Sequence, residues 1–156
     1  MKTSFIALIS LLGLTTAAPS TLQTRQNSQY PYSIGGLSLK HLTESNTYNI
    51  IFYATSFTDA GEALETTTCQ TAWNPSVPAG PEDPQACADP TFTFYFPTGI
   101  TSLEDYDITL TGPNGTVSGE IASGPKYACG PYEGTIAGID YECKTTNGGQ
   151  FYFPLV

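Results

Sequence analysis

Alternating phenylalanines between Cys87 and Pro97 form the clearest pattern in the chain. Phenylalanine occupies every second position at Phe92, Phe94 and Phe96, and threonine or tyrosine fills the positions between them. Because successive side chains of a strand point to opposite faces, the three rings share one face. Burying each ring would contribute about 1.5–3 kcal/mol. The pattern therefore predicts a central core strand, bounded by prolines that cannot donate hydrogen bonds in a ladder.

Most of the remaining chain consists of short alternating segments, without a convincing helical stripe. Gly35 and Gly36 predict a bulge in the first strand, and the sequence from Gly112 to Gly115 predicts a hairpin turn. Residues 74–90 contain five prolines and predict a loop. Many short strands predict an all-β fold, as a compact antiparallel barrel or a sandwich. The predicted strands are residues 30–42, 48–53, 62–69, 92–96, 108–110, 117–121, 135–141 and 150–156.

The beginning of the chain predicts export. An apolar run over residues 5–14 follows Lys2, and the small residues Thr16, Ala17 and Ala18 are typical of a cleavage site, so residues 1–18 predict a secretory signal peptide. The run is too short for a membrane span. Residues 19–29 predict a short tail or pro-segment, in which Thr24-Arg25 is a candidate for a second cleavage. Residues 30–156 are then expected to form a single β domain, secreted to the extracellular space.

The part of the chain that is expected to remain after export is strongly acidic. Removal of residues 1–25 leaves 131 residues, in which three lysines face fourteen acidic residues and the net charge is −11. Such a chain would bind nucleic acid poorly and be repelled by anionic lipid surfaces. We therefore expect no nucleic-acid partner. We also expect no membrane insertion, because no segment after the predicted signal peptide approaches eighteen apolar residues.

All four cysteines lie in the exported part and predict two disulfides. A zinc site is disfavoured because there is no Cys-x2-Cys pair and only one histidine. Four cysteines allow three pairings. We favour Cys69–Cys87 and Cys129–Cys143, since each pair would close a local excursion rich in turn residues. Loops of this length would each contribute about 3 kcal/mol.

Candidates for catalysis are few. His41 is the only histidine, and no Gly-x-Ser-x-Gly elbow accompanies it. Acid-base ribonucleases need an arginine, but Arg25 lies in the predicted tail. Paired carboxylates could hydrolyse glycosides, although sequence spacing does not fix their separation. Glu104, Asp105 and Asp107 could also be considered for Ca²⁺, but they lack an EF-hand pattern, so we expect no metal site and no cofactor. The two acidic groups are Glu104, Asp105 and Asp107, and Glu133, Asp140 and Glu142.

Four aromatic residues are candidates for binding. Trp73 is predicted to lie in the loop between Cys69 and Cys87, where it could anchor a partner or cover one end of the barrel. Tyr53, Tyr95 and Tyr152 should point away from their phenylalanine neighbours and could form an exposed aromatic face. The alternative is that both faces of some strands are covered. Separately, Asn114 begins an Asn-Gly-Thr glycosylation sequon on the predicted hairpin turn.

The chain resembles the fungal secreted family typified by the major Alternaria allergen, which includes elicitor-type effectors. The resemblance covers about residues 30–156, and its motifs are loose. It is carried by a signal peptide followed by Thr24-Arg25-Gln26, by an opening strand Tyr30-Pro-Tyr-Ser-Ile34, and by two local cysteine pairs. The phenylalanine strand and the aromatic terminal strand also match.

The resemblance implies a compact β-barrel with two local disulfides, matching Cys69–Cys87 and Cys129–Cys143. It implies no established enzyme activity, and no functional residue beyond the cysteines carries over. The allergen has an extra N-terminal cysteine that links a dimer, which this chain lacks, so we expect a monomer or a non-covalent dimer.

Three functions follow as hypotheses. The first is a non-catalytic effector, elicitor or allergen-like protein that acts by binding a host plant protein or cell-surface component. The alternatives are a small secreted acidic hydrolase that uses carboxylates, such as a glycosidase, and a structural protein of the cell wall.

Overall fold

The computed structural model describes residues 30–75 and 80–155 and confirms an all-β fold with antiparallel sheets. The predicted signal peptide and the tail over residues 19–29 lie outside the described part. Within that part, no helix is both long enough and apolar enough to span a membrane. The strands are β1 (Tyr32–Leu42), β2 (Thr47–Phe57), β3 (Ala63–Trp73), β4 (Gln85–Ala86), β5 (Thr93–Tyr95), β6 (Asp105–Gly112), β7 (Gly115–Ala122), β8 (Tyr127–Pro131), β9 (Ile139–Thr145) and β10 (Gln150–Phe153).

The strands form two sheets. The larger sheet has the order β3-β2-β1-β9-β8, and β10 also pairs with β1. One edge of β1 therefore serves two partners, β10 along its first half and β9 along its second half. The register of β1 against β2 shifts between Gly35 and Ser38, which confirms the predicted bulge. The smaller sheet has the order β4-β5-β6-β7, and its β6–β7 hairpin turns between Gly112 and Gly115 as predicted.

The two sheets pack face to face, as in a sandwich. The Phe52 ring of the larger sheet lies 5.0 Å from the Phe94 ring of the smaller sheet, centroid to centroid. Contacts also join the sheets at their edges. The Ala88 N–H donates to the Thr68 carbonyl at 2.8 Å, and Val117 forms an isolated bridge with Leu155. The sandwich, one of the two predicted architectures, therefore describes the arrangement.

Phe92, Phe94 and Phe96 lie in the centre of the core. All three are fully buried, which confirms that they share the inner face. Strand β5 itself covers only Thr93–Tyr95, because one turn ends at Thr91 and the next begins at Pro97. The ring of Phe94 packs edge-on against those of Phe52 and Phe96. The pattern thus predicted the packing more accurately than the length of the strand.

Several predicted boundaries were wrong. Strand β3 continues past its predicted end at Cys69 to Trp73, because residues 70–73 pair with residues 48–51 of β2. The short strand β4 interrupts the predicted loop over residues 74–90. Strand β9 begins at Ile139 instead of residue 135, since residues 134–138 form bends and turns with Ile136 exposed. The alternation of short apolar residues there did not distinguish a strand from a turn.

Both predicted disulfides are present. Cys69–Cys87 joins strand β3 of the larger sheet to the residue that follows β4 in the smaller sheet. Cys129–Cys143 joins directly opposed residues of β8 and β9. Cys129 therefore lies in strand β8, a segment for which no strand was predicted. The first disulfide links the two layers of the sandwich, and the second links neighbours within one layer.

Candidate functional site

The outer face of the larger sheet brings two of the predicted tyrosines together. Residues opposite each other in adjacent strands point to the same side of a sheet. Ser33 stands between Thr55 of β2 and Tyr152 of β10, and Gly35 stands between Tyr53 of β2 and Gln150 of β10. Tyr53 is 50% exposed and Tyr152 48% exposed. We call this surface, defined by Ser33, Gly35, Gly36, Tyr53, Thr55, Thr66, Gln150 and Tyr152, the tyrosine face.

The bulge in β1 positions the ring of Tyr53. Gly36 has a φ of +58°, a conformation that residues with a side chain rarely adopt. A Cβ atom at Gly36 would come within 2.6 Å of a ring carbon of Tyr53, so the ring lies directly over the glycine backbone. The positive φ and the close approach of the Tyr53 ring both require glycine at position 36. The ring of Tyr53 is consequently supported from below while half of its surface remains exposed.

A groove of about 330 Å³ runs across the tyrosine face. Four glycines contribute to its lining, and because they have no side chains they leave the space open. These glycines are Gly35, Gly36, Gly148 and Gly149. The other lining residues are the hydroxyl-bearing Ser33, Tyr53, Thr55, Thr66 and Thr145, together with Gln150. None of them is an acid, a lysine, an arginine or a histidine, although the chain is acidic, with a net charge of −9.

Hydrogen bonds hold the polar groups of this groove in place. The hydroxyls of Thr55 and Thr66 lie 3.0 Å apart, so one donates to the other. The Tyr152 hydroxyl donates to the side-chain carbonyl of Gln150 at 2.6 Å, and the Lys126 ammonium donates to the Gln150 backbone carbonyl at 3.2 Å. The amide and the hydroxyls are therefore oriented before any ligand arrives.

Residues 30–75 and 80–155 contain three lysines, of which Lys126 is shown in contact with the tyrosine face. Lys126 contacts Gln150, as described above, while Lys40 and Lys144 lie on β1 and β9. Both of the latter pair with Glu142, at 3.4 Å and 2.8 Å between nitrogen and oxygen. The lysines of the described part thus all lie in or next to the larger sheet.

The other predicted aromatics lie elsewhere. Tyr95 is half-buried on β5 of the smaller sheet, so the three tyrosines do not form one aromatic face as the sequence suggested. Trp73 ends strand β3 and packs on the rings of Tyr48 and Phe96, with centroids 5.7 and 6.2 Å away. This packing agrees with a covering role at one end of the core. Its predicted place in a loop was wrong, since pairing with β2 extends the strand.

A second groove, of about 320 Å³, lies beside the tyrosine face and is lined by Tyr30, Phe57, Gly61 and Tyr152. The Tyr152 ring lies 6.2 Å from the rings of both Tyr30 and Phe57. The side-chain amide of Asn114 donates to the Phe57 carbonyl at 3.0 Å. Asn114 is exposed in the β6–β7 turn. Glycosylation at this sequon stays a prediction.

His41 lies in a third groove, of about 310 Å³, with Tyr48, Ser102, Leu103, Glu104 and Tyr141. Its Nδ1 is 2.7 Å from an Asp140 carboxylate oxygen, and its Nε2 is 3.3 Å from the Asn46 side-chain oxygen. The imidazole therefore ties the β1–β2 turn to β9. Both of its nitrogens contact side-chain oxygens of the protein, so the contacts shown for this histidine are structural.

The two predicted acidic groups are dispersed. Glu104 accepts a hydrogen bond from the Tyr141 hydroxyl at 2.8 Å, which raises the pKa of that tyrosine. Asp105 and Asp107 project from β6 on the exposed side of the smaller sheet, near Glu120. Asp140 contacts His41 and Glu142 contacts the lysines, while Glu133 is exposed. None of the acids except Glu104 lines one of the three grooves.

Two carboxylates should affect stability in opposite ways. A hydrogen bond and repulsion from Asp105, with smaller contributions from slight burial and from Asp107, raise the pKa of Glu120. Burial opposes ionisation of Glu142, but Lys144 and Lys40 outweigh it and lower the pKa of Glu142. Glu120 therefore contributes stability that is complete below its unfolded pKa, about 4.3, and is lost as the pH rises through the folded value. Glu142 contributes stability above about pH 4.3 that is lost as the pH falls through its folded pKa.

We accordingly predict that Glu120→Gln raises the melting temperature at pH 7 and leaves it unchanged at pH 3. Glu142→Gln should lower the free energy of unfolding at pH 7 by up to about 1 kcal/mol, with no loss at pH 3. Thermal unfolding at both pH values measures this. Equal effects of either substitution at pH 3 and pH 7 would contradict the assigned contacts.

Among residues 30–75 and 80–155, no group of three histidine, cysteine or acidic side chains is placed to hold a metal ion. No family model, curated protein or solved structure matches this chain. The geometry of the tyrosine face is consequently the main basis for a functional argument. The sequence pattern indicated Tyr53, Tyr152 and the Gly35-Gly36 bulge, but Thr55, Thr66 and Gln150 carried no such signal, because only the strand register brings them together.

Proposed function

We propose that the protein is a secreted, non-catalytic effector or elicitor that binds a host plant molecule through the tyrosine face. The observation that supports this most directly is the exposure of Tyr53 and Tyr152 on one sheet face. Tyrosine is enriched at binding sites because its ring offers a large, rigid contact area and its hydroxyl a polar group. Exposed aromatic surface of this kind in a folded domain is typical of an interaction site.

Export is supported by the predicted signal peptide and agrees with the two disulfides, which persist in oxidising compartments. The resemblance to the fungal secreted family favours a role at the plant surface. Binding is favoured over catalysis because the groove on the tyrosine face is lined by no carboxylate, histidine or lysine that could transfer a proton.

Infiltration of the purified protein into leaf tissue tests the proposal. We expect the wild-type protein to trigger a burst of reactive oxygen and to retain a host molecule in a pull-down experiment. The double variant Tyr53→Ala, Tyr152→Ala should reduce both signals about tenfold or more, equivalent to a loss of about 1.4 kcal/mol of binding. Tyr95→Ala is the matched control, because it removes a half-buried tyrosine from the other sheet and should change neither signal.

Other outcomes would replace the proposal. Absence of both a defence response and a retained host molecule would contradict binding at the plant surface. Turnover of a polysaccharide or peptide at acidic pH, abolished by a single Glu or Asp substitution, would establish the hydrolase instead. Retention in the fungal wall fraction, with none in the medium, would favour the structural role.

A further inference from the structure

We infer that the groove on the tyrosine face binds a neutral oligosaccharide. This inference rests on the proposed function, since it names the chemical class of the molecule that the face binds. It is carried by the groove's open shape, its uncharged hydroxyl and amide lining, and the fixed ring of Tyr53.

The shape of the groove suits a flat, extended ligand. Its volume of about 330 Å³ is at the lower end of ligand sites, which span roughly 300–1,000 Å³. Glycine backbone and the Tyr53 ring provide much of its wall, so no deep apolar pocket is available for a large hydrophobic side chain. It also lies on the face of the sheet and not along a strand edge, so a peptide could not bind there by adding a strand.

The polar groups match the hydroxyls of a sugar. A threonine hydroxyl can donate one hydrogen bond and accept two, so the Thr55–Thr66 pair retains both functions after its internal bond. The Gln150 amide carbonyl already accepts from Tyr152, which leaves the Gln150 NH2 group oriented to donate. These groups alternate between donor and acceptor over a short distance, as the ring hydroxyls of a sugar do.

The ring of Tyr53 supplies the apolar part of such a site. The face of an aromatic ring is electron-rich and attracts the slightly positive C–H groups on one side of a sugar ring. Contact with the Gly36 backbone already fixes the tyrosine, so little side-chain freedom is lost on binding.

The charge distribution argues for a neutral ligand. Fourteen acidic residues are present in the exported chain, yet none lines this groove. Lys40 and Lys144 share Glu142, which leaves one net positive charge, and Lys126 donates to the Gln150 backbone carbonyl, but none of the three lysines lines the groove. A site selected for a charged ligand would place an opposite charge in contact with it.

Isothermal titration of the full exported chain with defined oligosaccharides tests the inference. The neutral probes are gluco-, xylo- and manno-oligosaccharides, and the charged probe is an oligogalacturonide of matched length. We expect at least one neutral probe to bind more tightly than the charged probe. Tyr53→Ala should weaken that binding about tenfold or more, while Tyr53→Phe, which keeps the ring, and Tyr95→Ala, on the other sheet, should retain it.

The outcomes separate this inference from the proposed function. Stronger binding of the oligogalacturonide, or neutral binding unchanged in Tyr53→Ala, would overturn the inference. If no sugar binds while a plant protein is still retained and is lost in Tyr53→Ala, the oligosaccharide inference fails and the proposed function remains. If neither sugar nor plant molecule binds, both fail. An equal melting temperature of Tyr53→Ala and wild type shows that loss of binding is not loss of folding.

Discussion

Replacing Phe94 with alanine is expected to lower the free energy of unfolding by about 3–5 kcal/mol. Phe94 is fully buried between the two sheets, with its ring against those of Phe52 and Phe96. Truncation removes the apolar surface of the ring and leaves a cavity that the paired strands on both sides cannot fill. Urea unfolding, followed by tryptophan fluorescence from Trp73, measures the difference.

Tyr95→Ala is the matched control for this substitution. Tyr95 is the next residue of the same strand, but it points to the outer side of the smaller sheet and is only half-buried. The free energy of unfolding should fall clearly less in Tyr95→Ala than in Phe94→Ala. A loss below about 1 kcal/mol for Phe94→Ala, the ordinary size for a point mutation, would contradict a core centred on the phenylalanine strand.

Removing the Cys69–Cys87 disulfide by a double substitution to alanine should lower the free energy of unfolding by about 3 kcal/mol. The two cysteines are 18 residues apart, so the link restricts the unfolded chain substantially. It also joins the two sheets, and both cysteines are buried. Denaturant unfolding of the double variant under oxidising conditions measures the loss.

Removing Cys129–Cys143 in the same way gives a matched comparison. Its separation of 14 residues predicts a similar loss of about 3 kcal/mol. Peptide mapping without reduction checks the pairing itself. A peptide joining Cys69 to Cys129 or Cys143 would contradict the fold and weaken the family resemblance with it.

Much of the fold could be predicted because local chemistry determines it. Alternation at Phe92, Phe94 and Phe96 revealed an inner face, and this signal needs no knowledge of distant residues. The Gly35-Gly36 pair marked the bulge, since glycine within a strand often indicates one. The cysteine pairs were predictable because each closes a local loop.

The features that the sequence did not predict depend on pairing between strands that are distant in the chain. The extension of β3 to Trp73 follows from its pairing with β2, in which Tyr48 lies opposite Trp73. The start of β9 at Ile139 follows from its pairing with β1 and β8. Likewise, Tyr53 and Gln150 approach each other only because both are opposite Gly35. The exposed tyrosines were therefore visible in the sequence, but the groove between their strands was not.

Binding to living leaf cells tests the central claim, that the protein contacts its host through the tyrosine face. The protein should be detected by an isotope incorporated during expression, because the Tyr30 ring lies 6.2 Å from that of Tyr152 and Lys126 contacts Gln150, so a label at the N-terminus or on lysines could block that face. The account predicts equal half-saturation concentrations for wild type and Tyr95→Ala, and a value about tenfold or more higher for Tyr53→Ala. Equal binding of all three proteins, or weakened binding of Tyr95→Ala alone, would contradict it.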